Sequence, residues 1–131
     1  MYTLLIVDDE EFERDGMARL IPWEKYDYRL AGTAGNGAEG LDQIGRLRPD
    51  IAIVDIKMPV MNGVEMIRRA REAYPDTLCV VLSGYGDYEY TSQAMELGVR
   101  HYILKSCDDA KIIPALDKAA RELEEQRQSR A

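Results

Sequence analysis

Short apolar runs alternate along the chain with longer segments in which apolar residues recur every three or four positions. The apolar runs predict five β-strands, at residues 4–7, 28–34, 51–54, 78–82 and 101–104. The longer segments predict five helices, at residues 11–20, 37–47, 64–74, 87–97 and 108–124. Proline or glycine follows four of these helices as a stop signal, at Pro22, Pro49, Pro75 and Gly98.

The predicted strands are almost continuously apolar, so both faces of their sheet are expected to be covered. Buried strands that are each followed by a helix are typical of a parallel sheet in an α/β fold. In the first helix we expect an apolar side made of Phe12, Met17, Leu20 and Ile21. In the last helix we expect a core stripe made of Ile112, Ile113, Leu116, Ala120 and Leu123.

Polar residues follow four of the predicted strands at the point where each strand ends. They are Asp8 and Asp9 after the first strand, Asp55 after the third, Ser83 after the fourth and Lys105 after the fifth. Ligands of open parallel sheets bind outside the carboxyl ends of the strands, where the strand order reverses. We therefore expect three carboxylates, one hydroxyl and one ammonium group to meet at one edge of the sheet.

This set of side chains has a specific chemistry. Crowded carboxylates stay ionised only when a cation lies among them, and hard oxygen ligands suit Mg²⁺. Asp8, Asp9 and Asp55 therefore predict a Mg²⁺ site. An aspartate beside Mg²⁺ can also attack phosphorus and form an aspartyl phosphate. Lys105 would then neutralise charge on the transferring group, and Ser83 would donate a hydrogen bond to it.

Four motifs occur in an order and at a spacing that are found together in one family. They are LLIVDDE, DIKMPVMNGVEM, VVLSGYGDYEY and HYILK. On these motifs the chain resembles, over about residues 2–125, the receiver domain of two-component response regulators. SGYGDYEY and the Pro22-Trp23-Glu24 segment are similar to the subgroup whose receiver precedes an AraC-type helix-turn-helix output domain. The resemblance implies a flavodoxin-like (βα)5 doubly wound sandwich with five parallel strands in the order 2-1-3-4-5.

The resemblance also implies a role for each acidic residue of the site. Asp55 would accept a phosphoryl group from a histidine kinase. Asp9 would be a direct Mg²⁺ ligand, and Asp8 would hold the ion partly through water. Lys57 would offer its backbone carbonyl to the metal. The protein is thus expected to be a phosphorylation-activated signalling switch, which catalyses only its own phosphoryl transfer and dephosphorylation and is no enzyme in the usual sense.

The resemblance also implies that three residues contact or respond to the phosphoryl group. Ser83 would move toward it, Lys105 would pair with one of its oxygens, and Tyr102 would turn inward when Ser83 moves. The family normally has a proline with a cis peptide bond after the lysine, whereas this chain has Ser106. A cis bond to a residue other than proline costs about 2.5–4 kcal/mol. The resemblance therefore does not imply the direction of the Lys105 side chain.

Composition narrows the possible partners. With a net charge of −7 and no basic cluster, the chain is not expected to bind nucleic acid by itself. No apolar run approaches the roughly 20 residues of a membrane helix, and the N-terminus lacks the features of a signal peptide, so we expect a cytoplasmic protein.

Cys79 and Cys107 lack zinc-site spacing, and Cys79 is expected to be buried. Trp23 is expected to be a packing anchor, and His101 a surface residue.

The expected organisation is a receiver domain at residues 1–125, with residues 126–131 as the start of a polar linker. By resemblance, the linker would lead to a missing DNA-binding output domain, and DNA would be contacted only through that domain. The other expected partners are a histidine kinase and a second copy of the chain, bound through the face made by the fourth helix, fifth strand and fifth helix. No membrane partner is expected.

Two alternatives to the switch remain open. The chain could be a receiver-like interaction module that is never phosphorylated, which the departure at Ser106 favours. It could also be a Mg²⁺-dependent aspartyl-phosphate phosphatase of the haloacid dehalogenase kind. That class has its nucleophile in a DxD pattern after the first strand, whereas this strand ends in Asp8-Asp9-Glu10. A nucleotide-binding protein is excluded because no glycine-rich phosphate loop follows the first strand.

Overall fold

The computed structural model describes residues 1–84, 86–105 and 108–130. The strands are β1 (Tyr2–Val7), β2 (Tyr28–Ala34), β3 (Ile51–Asp55), β4 (Leu78–Ser83) and β5 (Tyr102–Leu104). The helices are α1 (Glu11–Leu20), α2 (Gly37–Leu47), α3 (Gly63–Ala73), α4 (Tyr88–Glu96) and α5 (Asp109–Arg130), with a 3₁₀ turn at Trp23–Tyr26. The predicted order of strands and helices is confirmed. Within the described ranges, none of the helices combines the length and the apolar composition of a membrane span.

All neighbouring strands are parallel, and the sheet has the order β2-β1-β3-β4-β5. The predicted flavodoxin-like fold is therefore confirmed. Because β1 lies between β2 and β3, the winding direction reverses beside the ends of β1 and β3. That reversal opens a crevice at the carboxyl edge of the sheet, and Asp8 and Asp55 stand at this edge.

Side chains of the central strands alternate between two buried clusters, one on each face of the sheet. Leu4 and Ile6 belong to the cluster that α1 and α5 cover, and Leu5 and Val7 to the cluster that α2, α3 and α4 cover. Every residue of β3 is buried. This explains the unbroken apolar runs in the sequence, because both faces of each central strand have to be apolar.

The expected apolar side of α1 is wrong in part. Met17 and Ile21 are buried, but Phe12 is 91% exposed and Leu20 is 71% exposed. Five residues separate Phe12 from Met17, which places them about 140° apart around the helix. Phe12 therefore faces away from the sheet when Met17 faces it. Trp23 is the predicted anchor: its side chain is buried, and its indole Nε1 donates a hydrogen bond to the carbonyl of Met17 at 3.1 Å.

Helix α5 is longer than its apolar stripe and runs to Arg130. Its expected core residues Ile112, Leu116 and Leu123 are buried. In its last turns, Arg127 pairs with Asp50 at 2.6 Å, and Arg130 pairs with Asp76 at 2.7 Å. The polar end of the chain therefore stays helical through Arg130 and lies against the amino-terminal edge of the sheet. The division between a domain at residues 1–125 and a linker from residue 126 stays a prediction.

Candidate functional site

Pairing of the strands brings the predicted site residues to one edge. Asp55 is the last residue of β3 and lies opposite Leu82 in β4. Ser83 ends β4, and its carbonyl accepts a 2.8 Å hydrogen bond from the backbone N–H of Lys105. The backbone N–H of Asp8 donates to the carbonyl of Ala34 at 3.0 Å, which continues the β1–β2 ladder by one residue. Asp8, Asp55, Ser83 and Lys105 therefore occupy adjacent strand ends.

The start of α3 fixes the loop that follows Asp55. Asn62 caps α3 by accepting a 2.9 Å hydrogen bond from the backbone N–H of Glu65. Gly63 packs so closely on the backbone of Asp55 and Ile56 that a β-carbon at this position would overlap them. The sequence Asn62-Gly63 thus supplies both the cap and the close approach, and it holds the strand end rigidly beneath the site.

Three carboxylates converge here. One oxygen from each of Asp8, Asp9 and Asp55 lies within 4.8 Å of the others. Asp8 and Asp55 are fully buried, whereas Asp9 remains in part open to solvent. Asp8 Oδ2 is buried and has no hydrogen-bond partner among residues 1–84, 86–105 and 108–130. A buried charged oxygen without a donor is costly, and a hard cation that shares it with two neighbouring carboxylates removes that cost. The donor set therefore fits Mg²⁺.

Burial dominates the electrostatics of these acids. Burial, and after it the negative charge of Asp8, raises the pKa of Asp55 to about 7 against the opposing effect of Lys105. Burial also raises the pKa of Asp8. The backbone N–H of Lys57 donates to Asp55 Oδ1 at 3.2 Å and favours the ionised carboxylate. Two buried carboxylates this close together both stay ionised only when additional positive charge is supplied.

Lys105 is the cation that the fold itself brings to the cluster. Its Nζ lies 3.1 Å from Asp55 Oδ2 and 3.4 Å from Glu13 Oε2. Burial alone would lower the pKa of Lys105, but the contact with Asp55 and the charges of Asp8 and Glu13 raise it above its ordinary value. Lys105 is therefore a permanent ammonium group held directly against the candidate acceptor.

Glu13 is a site residue that the sequence did not reveal. It lies in the first turn of α1, four residues after Asp9. An acid in the first turn of a helix normally complements the helix dipole, which hid any further role. The available signal was its position: α1 begins at the same sheet edge as the strand ends, so its first turn stands over the site.

Ser83 and Tyr102, two of the three residues expected to respond to the phosphoryl group, lie on the neighbouring strands β4 and β5. Ser83 is half-buried at the end of β4. Tyr102 is half-buried at the start of β5, and its hydroxyl donates to the carbonyl of Val99 at 3.1 Å. Gly84 follows Ser83, and a β-carbon at Gly84 would come within 3.8 Å of Lys105 Cδ. Gly84, the first residue after β4, thus lies beside the lysine stem.

The burial of two further residues, His101 and Cys79, can be compared with the prediction from the sequence. His101, expected at the surface, is only 15% exposed, and its Nε2 lies 2.7 Å from Glu122 Oε2 in α5. The expectation was wrong because the partner is 21 residues away in sequence. Cys79 is buried as expected, and burial raises its pKa to about 12. Ser106 and Cys107 lie outside the described residues, so the departure at Ser106 stays an observation about sequence.

Comparison with known proteins gives one consistent result. Residues 4–117 match the family model described as "Response regulator receiver domain". The chain is 43% identical over 126 residues to the transcriptional regulatory protein YesN of Bacillus subtilis (strain 168), covering 96% of this chain and 34% of YesN. It is 36% identical over 126 residues to the transcriptional regulatory protein HptR of Staphylococcus aureus (strain NCTC 8325 / PS 47), covering 96% of this chain and 49% of HptR.

Solved structures agree with this match. The receiver domain of AraT, a response regulator from Geobacillus stearothermophilus, is similar with a TM-score of 0.81 and 31% identity, over 99% of this chain and 98% of that one. A two-component transcriptional regulator AraC from Clostridium phytofermentans ISDg has a TM-score of 0.86 and 28% identity, over 97% and 98% of the two chains. The chain spans between a third and a half of the length of YesN and HptR.

Proposed function

The chain belongs to the family of response regulator receiver domains, and on that premise we propose that it is a switch turned on by phosphorylation of Asp55. One observation carries the proposal. The buried carboxylate of Asp55 lies 3.1 Å from the ammonium of Lys105 and within 4.8 Å of oxygens from Asp8 and Asp9. A carboxylate between a fixed cation and further metal-type ligands has the surroundings that an incoming phosphoryl group requires.

The proposed chemical step is a single phosphoryl transfer. A carboxylate oxygen of Asp55 attacks the phosphorus of a phosphorylated histidine on the kinase. The new O–P bond forms as the P–N bond breaks, and the leaving imidazole keeps the electron pair. Lys105, 3.1 Å from Asp55 Oδ2, faces the charge on the transferring oxygens. The backbone N–H of Lys57, 3.2 Å from Asp55 Oδ1, keeps the acceptor carboxylate oriented.

Asp8, Asp9, Asp55 and the backbone carbonyl of Lys57 would hold Mg²⁺. The proposal is supported by the convergence of the three carboxylates and by the unpartnered Oδ2 of Asp8. When bound, the ion supplies the positive charge that offsets the crowded acids and the phosphoryl oxygens. Because the pKa of Asp55 is raised to about 7 when only the protein's own groups surround it, this added charge would also keep the acceptor ionised.

Phosphorylation would change the protein by shifting a population between two states. Ser83 and Lys105 would bond to phosphoryl oxygens that are absent before the reaction. Movement of the loop after β4 would let Tyr102 leave its hydrogen bond to Val99 and turn inward. The face made by α4, β5 and α5 would then bind a second copy of the chain. Support for this face comes from its exposed apolar residues, Tyr88, Met95 and Leu104.

The proposed output is transcription. YesN and HptR are named as transcriptional regulatory proteins, and both are longer than the aligned segment. We expect residues 1–125 to be the receiver and residues 126–131 to begin a linker toward a DNA-binding output domain of the AraC type. The upstream partner would be a histidine kinase, the place of action the cytoplasm, and DNA would be contacted only by the output domain.

The deciding experiment is intact mass after incubation with Mg²⁺ and acetyl phosphate, beside an Asp55→Asn control. One added phosphoryl group on the native protein, and none on the control, is the expected result. If no adduct forms and the protein does not respond to beryllium fluoride, the proposal is wrong. The unphosphorylated interaction module would then be the favoured interpretation. Continuous release of phosphate from small phosphate esters would instead favour a phosphatase.

A further inference from the structure

A second carboxylate, besides that of Asp55, contacts the ammonium group of Lys105. Glu13 Oε2 lies 3.4 Å from Lys105 Nζ, while Asp55 Oδ2 lies 3.1 Å from the same nitrogen. The two acids come from different elements, because Glu13 belongs to α1 and Asp55 ends β3. Lys105 is therefore shared between two anions that the fold places independently.

The charged end of Glu13 points into the site although its stem is open to solvent. The side chain of Glu13 is 37% exposed overall, yet its Oε2 atom is buried and makes no hydrogen bond within the described part of the chain. A surface glutamate that served only the helix dipole would keep both oxygens in water. Here the oxygen gives up water, and among the described residues its ion-pair partner is the ammonium of Lys105, so this pair accounts for its orientation.

The geometry has a consequence for phosphorylation. A phosphoryl group on Asp55 needs the ammonium of Lys105, and Glu13 draws that ammonium toward α1. The carboxylate of Glu13 also adds negative charge close to the space that the phosphoryl oxygens must enter. Both effects disfavour the phosphorylated state relative to the free one.

We propose that Glu13 is a positioning residue that holds Lys105 in the unphosphorylated state and competes with the phosphoryl group for its ammonium. The inference rests on the proposed function, since it concerns the stability of a phosphoryl group on Asp55. Glu13 acts through Lys105, the side chain with which it forms its ion pair. It sets how readily the site takes up a phosphoryl group without taking part in the transfer.

The test is a titration of the full chain with beryllium fluoride, the stable phosphoryl mimic, at saturating Mg²⁺ so that changes in metal affinity do not enter. Glu13→Gln keeps the shape of the side chain and removes its charge. It is expected to bind the mimic at least about threefold more tightly than the native protein, because the ammonium is released and a nearby anion is lost. Glu11→Gln, an exposed change on the same turn of α1, is the matched control and is expected to shift binding less than twofold.

A double-mutant cycle with Lys105→Met tests whether Glu13 acts through Lys105. In that background, Glu13→Gln is expected to strengthen binding of the mimic by a smaller factor than in the native background, because only the loss of a nearby anion remains. Glu13→Asp, which keeps the charge but is one methylene too short for the contact, is expected to bind more tightly than the native protein in the Lys105 background. An equal effect of Glu13→Gln with and without Lys105, or no effect in either, would overturn the inference.

These outcomes are separate from failure of the proposed function. If the native protein takes up neither a phosphoryl group nor the mimic, the switch itself is wrong. If the native protein responds and Glu13→Gln does not differ from it, only the role of Glu13 is wrong. Weaker binding by Glu13→Gln would also overturn the inference, because it would mean that Glu13 organises the site and does not compete.

Discussion

The ammonium of Lys105 lies 3.1 Å from Asp55 Oδ2, although 50 residues separate the two in sequence. Strand β4 bridges the distance, because it pairs with β3 on one side and with β5 on the other. The end of each strand thus brings one component of the site to the same edge.

Asp8→Asn is expected to stabilise the metal-free protein and to reduce strongly the stabilisation by Mg²⁺. Burial of Asp8 beside Asp55 places two like charges in a site with little water, so removing one should raise the free energy of unfolding by about 1 kcal/mol. Saturating Mg²⁺ should stabilise the native protein, by about 2.7 kcal/mol at a hundredfold excess over its Kd, and should do much less for the variant.

Urea unfolding in EDTA and in Mg²⁺ measures both effects. Asp15→Asn, an exposed change of the same charge on α1, is the control and should respond to Mg²⁺ as the native protein does. A variant that is less stable than the native protein in EDTA would show that Asp8 has a stabilising partner and contradict the repulsion argument.

Lys57→Ala is expected to shorten the lifetime of the phosphorylated protein. The side chain of Lys57 is exposed beside Asp55, and its ammonium can screen the phosphoryl group from attacking water. After removal of acetyl phosphate, the phosphorylated fraction is followed by intact mass at intervals. Lys118→Ala, an exposed change on α5, should decay as the native protein does. Equal decay of all three proteins would remove the role of this ammonium.

Tyr28→Phe is expected to lower the free energy of unfolding by about 1–2 kcal/mol. The hydroxyl of buried Tyr28 donates a 2.8 Å hydrogen bond to Asp117 of α5. Two further tyrosines bind α5 in the same way, Tyr26 to Asp109 at 2.6 Å and Tyr2 to Glu124 at 2.7 Å. Denaturant unfolding gives the change, and Tyr88→Phe, at a residue 77% exposed, should cost almost nothing.

Asp50 is expected to stabilise the fold at neutral pH and to lose that effect in acid. Burial raises its pKa, but hydrogen bonds from Arg127 and Thr3 more than offset this, so its pKa lies below the ordinary value of 3.8. A lowered pKa in the folded state means that the stabilisation is present above about pH 4 and lost as the pH falls below it.

The measurement compares the native protein with Asp50→Asn by urea unfolding in steps between pH 7 and pH 3. The native protein should be the more stable at pH 7, and the difference should shrink toward pH 3. Arg127→Gln should show part of the same trend, because it removes the ion pair and leaves the hydrogen bonds from Thr3 in place. A difference that is constant with pH would mean that the charge of Asp50 contributes nothing.

Much of the fold could be predicted because its signals are local. The apolar runs of β1, β3 and β4 fill both faces of a covered sheet, and Asn62-Gly63 provides a cap and a close approach within a few residues. The same local logic failed at Phe12. An apolar residue in a helical segment does not reveal which side of the helix meets the sheet, and Phe12 faces outward.

The order of strands and helices, and the strand-end positions of Asp8, Asp55 and Lys105, could be predicted from the amino-acid sequence. They follow from periodicity and from short-range turn chemistry, which depend on neighbours along the chain. Three contacts between distant groups became visible in the folded chain alone: Glu13 with Lys105, His101 with Glu122, and Arg127 with Asp50. Such pairs depend on how helices lie on the sheet and on distances of a few ångströms across it, and no local pattern of residues contains those distances.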